Sequence, residues 1–63
     1  MTPNIETWLA ELNLEKYAET FAKNEIDLDA TRDLTERDLT ELNIPIGPRK
    51  KLLRAIAELV DRL

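Results

Sequence analysis

Apolar residues recur every three or four positions along almost the whole chain, and nowhere do they alternate with polar ones for long enough to mark a half-buried strand. Such spacing stacks successive apolar side chains on one face of a helix, so an all-α architecture is expected, a compact five-helix bundle with a long C-terminal helix. The 63 residues include no cysteine and no histidine, which removes disulfide staples, thiolate nucleophiles and the usual zinc ligand sets. A chain of this length buries only about 60% of the surface its unfolded form exposes, so packing alone must hold it. The lack of cysteine fits a reducing, cytoplasmic setting. No uncharged apolar run approaches the ~18 residues of a membrane span, and no membrane partner is expected.

The punctuation of the pattern divides it. Thr2-Pro3 reads as a cap followed by proline at the first helical position, where its missing N–H is not needed. A first helix then runs through Ile5, Trp8, Leu9 and Leu12 to a stop at Asn13, a residue that tolerates the left-handed conformation found past helix ends. A second helix takes Leu14 to about Asn24, with Leu14, Tyr17, Ala18 and Phe21 on one face. In EIDLDATRDLTERDLTELN two short helices fit, one from about Asp29, read as its cap, and one after Thr35, which forms a capping-box variant with Asp38. Asn43 repeats the stop. A last helix from Pro48 to Leu63, with Gly47 as its cap, carries Leu52, Leu53, Ile56, Leu59, Val60 and Leu63 on one stripe. No internal repeat, low-complexity tract or linker interrupts it, and residues 1–63 read as a single domain. The expected core is Trp8, Leu12, Tyr17, Phe21, Leu39, Leu42, Leu53 and Ile56, with the three aromatics packed inside rather than displayed.

Taken together, WLAELNLEKYAETFAKNEID, TRDLTERDLTELNI and GPRKKLLRAI resemble, in order and spacing, the sterile alpha motif (SAM) domain over nearly the whole chain. The resemblance implies a five-helix bundle used for protein–protein association, often head to tail between a mid-loop surface and an end-helix surface. The chain departs from the family pattern in three places. Asn13 and Asn43 stand where the family usually has glycine, which should keep the turns at some cost in stability, and the loop from Ile44 to Gly47 is one residue shorter than the commonest form.

Charge is unevenly spread. The chain is acidic overall, net −4, yet residues 1–46 carry eleven acids against four bases while residues 47–63 carry two acids against five bases. Arg49, Lys50 and Lys51 are read into the first turn of the last helix, with Arg54 one turn on. There each cation should be unfavourable by about 0.3–1 kcal/mol, because the helix dipole is positive at that end. A chain selected only to fold would place acids there. The candidate end-helix surface is therefore Ile46, Gly47, Pro48, Arg49, Lys50, Lys51 and Arg54, with Ile46 left open between core and interface. Its counterpart is the acidic segment, where the candidate mid-loop surface is Asp27, Asp29, Asp33, Glu36, Asp38 and Glu41. Asp29 and Asp38 have capping duties, and the remaining four have none.

No nucleophile–base pair, metal-ligand spacing or phosphate-cradling glycine loop occurs, so no catalysis, cofactor, metal or small-molecule substrate is expected. Two functions remain. One is a module that self-associates head to tail, or pairs with another SAM domain, into oligomers or a helical polymer. The other is an RNA-hairpin-binding module that uses the basic start of the last helix. Net charge favours the first, since the acidic face would repel a polyanion.

Overall fold

The computed structural model describes residues 4–61. Five α-helices and one 3-10 turn make up its regular structure, with no strand among the described residues: α1 (Ile5–Glu11), the 3-10 turn (Glu15–Tyr17), α2 (Ala18–Lys23), α3 (Leu28–Thr31), α4 (Glu36–Glu41) and α5 (Ile46–Asp61). The all-α expectation and the long last helix hold. Two compact units can be distinguished, one ending at Thr31 and the other starting at Arg32.

In the first unit, α1 opens on Asn4, whose side-chain oxygen accepts from the Thr7 N–H at 2.8 Å. The expected cap at Thr2-Pro3 lies outside the described residues. The helix then ends on Leu12, and Asn13 takes φ 60°. The Asn13 N–H reaches the Ala10 carbonyl at 3.0 Å and the Leu14 N–H reaches that of Leu9 at 2.8 Å, the paired bonds of a Schellman end. The expected second helix splits, its first turn being 3-10 and its remainder α2, and both pack with α1. The same paired bonds close α2, from Glu25 to Ala22 at 3.0 Å and from Ile26 to Phe21 at 2.9 Å. Here the left-handed residue is Glu25, φ 54°, while the side chain of Asn24 turns back to the Thr20 carbonyl. α3 is a single turn capped by Asp27 rather than Asp29: the Asp27 carboxylate accepts from the Ala30 N–H, and its carbonyl accepts from both the N–H and the hydroxyl of Thr31. Thr31 is thereby fully buried with its hydroxyl satisfied.

The second unit repeats these devices. Thr35 and Asp38 form the expected reciprocal capping box at the start of α4. A third Schellman end follows, Asn43 at φ 64° with bonds from Asn43 to Thr40 and from Ile44 to Leu39. In all three ends the residue whose carbonyl accepts from five positions on, Leu9, Phe21 or Leu39, is fully buried. The residue just past the turn, Leu14, Ile26 or Ile44, is apolar, and Leu14 and Ile44 are buried as well. The turns at Asn13 and Asn43 thus each join two buried side chains, and the turn at Glu25 joins a buried one to a half-buried one.

α5 packs with α4 and starts two residues earlier than its sequence suggests. Gly47 is not its cap, because the Pro45 carbonyl already accepts the Arg49 N–H at 2.9 Å. Gly47 and Pro48 occupy the second and third helical positions, where an N–H has no partner within the helix, so neither is penalised. Leu52, Ala55 and Ile56 are buried and Leu53 and Leu59 half-buried, whereas Val60 is 47% exposed. Leu63 lies outside the described residues. Of the expected core, Trp8, Phe21, Leu39 and Ile56 are buried, while Leu12, Tyr17, Leu42 and Leu53 are half-buried.

Candidate interaction surfaces

The start of α5 displays apolar and basic groups side by side. Ile46 is 60% exposed, which answers the question left open by its sequence, and Pro45 beside it is exposed. Pro48 is half-buried. Gly47 has nothing within 4 Å of where a Cβ would stand, so the surface there is open. Lys50, Lys51 and Arg54 are exposed, and no ion pair engages them among the described residues.

Arg49 behaves differently. Its side chain is only 17% exposed, with Nε 3.6 Å from Glu36 Oε2 and Nη1 donating to the Ile44 carbonyl at 3.3 Å. Nε is buried and has no hydrogen-bond partner among the described residues, so its attraction to Glu36 is electrostatic without a good hydrogen bond. Glu36 and Arg49, assigned by sequence to different surfaces, meet at the junction of α4 and α5. Residues thirteen apart along the chain carry no local signal that they touch.

Because α5 begins at Ile46, Lys50 and Lys51 fall in its second turn rather than its first. The dipole effect fades within one turn, so the adverse placement inferred from sequence is confined to Arg49, and Glu36 meets that charge. What distinguishes Lys50, Lys51 and Arg54 is their exposure, with no ion pair among the described residues, on a helix that opens with an exposed isoleucine.

The acidic residues divide by duty. Asp27, read as having no local role, caps α3, and Asp38 sits half-buried in the capping box. Asp29 is exposed in the first turn of α3. In the second unit Asp33 and Glu41 are exposed, Glu41 standing 3.9 Å from Arg37 one turn back, a pair too open to contribute much. Among the described residues no group of acids could hold a metal ion, and no helix is long and apolar enough to cross a membrane.

Residues 2–60 match the family profile of the SAM domain (sterile alpha motif). The chain is 50% identical over 58 residues to Protein bicaudal C of Drosophila melanogaster, covering 90% of this chain and 6% of that protein. It is 44% identical over 52 residues to human Triacylglycerol hydrolase DDHD2, covering 82% of this chain and 7% of the hydrolase. With Ankyrin repeat and SAM domain-containing protein 6 of Danio rerio the identity is 48% over 52 residues, covering 81% and 7%. The chain therefore spans only 6–7% of the length of these relatives, and what it shares with them is one small module. SAM domains are in general non-catalytic modules that bind other SAM domains or other proteins. By its matched residues, its all-helical build and its relatives, the chain belongs to the sterile alpha motif (SAM) domain family.

Proposed function

We propose that residues 1–63 act as one SAM domain that associates head to tail, with copies of itself or with another SAM domain. The basic start of α5 on one molecule meets the acidic segment of the next. The observation that carries this reading is Ile46, an exposed isoleucine at the start of the helix that also displays Lys50, Lys51 and Arg54, cations with no ion pair among the described residues. An apolar centre ringed by charge is the usual plan of a small interface, in which desolvating the centre supplies affinity and the rim supplies orientation. Asp33 and Glu41 supply opposite charge on the other surface, whereas Asp27 and Asp38 are retained for capping and Asp29 adds charge at the start of α3.

Two unlike surfaces cannot pair isologously. Repetition of such a contact closes a ring or extends a helical filament. Sedimentation of the purified chain over a range of concentrations should show assemblies larger than a dimer that shorten as salt is raised. A monomer at every concentration and salt level would rule out self-association and leave only pairing with another SAM domain. The same exposed cations support a second reading, an RNA hairpin held by its phosphates. In that case binding should fall steeply with salt, by about 0.9 in logarithmic slope for each duplex phosphate contacted. A hairpin complex that is sequence-selective at physiological salt would favour this reading over self-association.

A further inference from the structure

We propose that Arg49 is a positioning residue, a brace at the α4–α5 junction that holds Ile46 outward, and does not itself touch the partner. The inference rests on the association reading above and deepens it. Three features of the junction support it. The Arg49 side chain is largely buried, unlike Lys50, Lys51 and Arg54 around it. Its guanidinium addresses two groups of its own chain, Glu36 at the first position of α4 and the carbonyl of Ile44, two residues before Ile46. Ile44 is itself buried and ends the Schellman turn, so the bond ties exposed Pro45 and Ile46, where α5 begins, to a fixed point.

Arginine suits this duty because its planar fork can face a carbonyl and a carboxylate at once in a set geometry, which the single ammonium of lysine cannot reproduce. Glu36 neutralises the one cation that lies within reach of the positive end of α5. It thereby leaves Lys50, Lys51 and Arg54 as the net positive display.

The test uses two half-blocked copies. One carries Asp33→Lys and Glu41→Lys and keeps its α5 surface; the other carries Lys50→Glu and Arg54→Glu and keeps its acidic surface. Into the first are placed, separately, Arg49→Lys and Arg49→Gln. If Arg49 is a brace, both substitutions weaken the pair by about tenfold, the scale of one lost anchoring bond, and by the same factor at 0.1 M and 1 M salt. In the free monomers, amide exchange at Lys50 and Lys51, in the early turns of α5, should quicken. If Arg49 met an acid of the partner directly, Arg49→Lys would preserve affinity, and the loss from Arg49→Gln would shrink at high salt, where the screening length falls to ~3 Å. Either of those results, or unchanged exchange at Lys50 and Lys51, overturns the proposal. Should the parental pair fail to associate, the association reading falls, while the exchange measurement still decides whether Arg49 braces α5.

Discussion

Among the described residues, three other than glycine, Asn13, Glu25 and Asn43, are held at positive φ, each as the turn of a Schellman end. For an L-residue the left-handed region costs roughly 1–2 kcal/mol, less for asparagine, whose short polar side chain tolerates it. Glu25 has no such relief, and its exposed side chain does nothing visible to compensate. Replacing Glu25 with glycine should therefore raise stability by about 0.5–1 kcal/mol after the added freedom of the unfolded chain is subtracted. Urea titration would read this as a higher midpoint with an unchanged slope. Asn13 and Asn43 were legible as stops because asparagine is a recognised left-handed residue; Glu25 was not, because nothing in a glutamate announces that conformation. Caps divide the same way. Thr35 with Asp38 was readable as a spaced pair, whereas Asp27 and Asp29 are both plausible caps for α3 and only the path of the chain chooses Asp27. Replacing Asp27 with alanine should cost about 0.5–2 kcal/mol, and Asp29→Ala clearly less, which chemical denaturation of the two variants would check.

At the scale of elements, α5 shows what a periodic pattern reveals and what it blurs. The stripe of leucine, isoleucine and valine placed the helix and its inward side correctly, but it was read too broadly. The buried line is Leu52, Ala55, Ile56 with Leu59 beside it, at intervals of three and four, while Val60 faces outward. Alanine was overlooked because it carries little apolar weight, yet at Ala55 small size is what a buried helix face can require. Leu52→Ala should cost about 2–5 kcal/mol, a large share of the stability available to so small a domain, whereas Val60→Ala should stay within about 0.5 kcal/mol. Thermal melts of both proteins test the assignment, and equal losses would contradict it. The start of α5 was misplaced by two residues because proline and glycine serve both as caps and as early helical residues, and only the Pro45 carbonyl bond separates the two. That small shift matters functionally: it moves Lys50 and Lys51 out of the first turn and rests the case for their role on exposure instead of on dipole strain.

For the whole molecule the governing fact is charge asymmetry, eleven acids against four bases up to Ile46 and two against five beyond it. Family and fold class were legible because apolar spacing, stop residues and the order of motifs are local properties that survive in a linear string. The pairing of Glu36 with Arg49 was not, since it exists only once α4 and α5 pack. On the association reading proposed above, that pairing leaves Asp33 and Glu41 as the acids of the second unit that meet a partner's cations. Individual exposed ion pairs contribute about 0–1 kcal/mol, so several must act together around Ile46. Ile46→Ala should therefore weaken association about as much as loss of two cations, with no loss of folding stability, because the side chain is exposed in the free molecule; sedimentation of the variant beside its melting curve separates the two effects. The most direct measurement is sedimentation equilibrium of the two half-blocked copies, Asp33→Lys with Glu41→Lys and Lys50→Glu with Arg54→Glu, run alone and mixed. The account predicts that each alone is a monomer and that the mixture forms a one-to-one dimer which grows no further. Continued polymerisation of either variant, or a mixture that stays monomeric while the parent chain assembles, would contradict it.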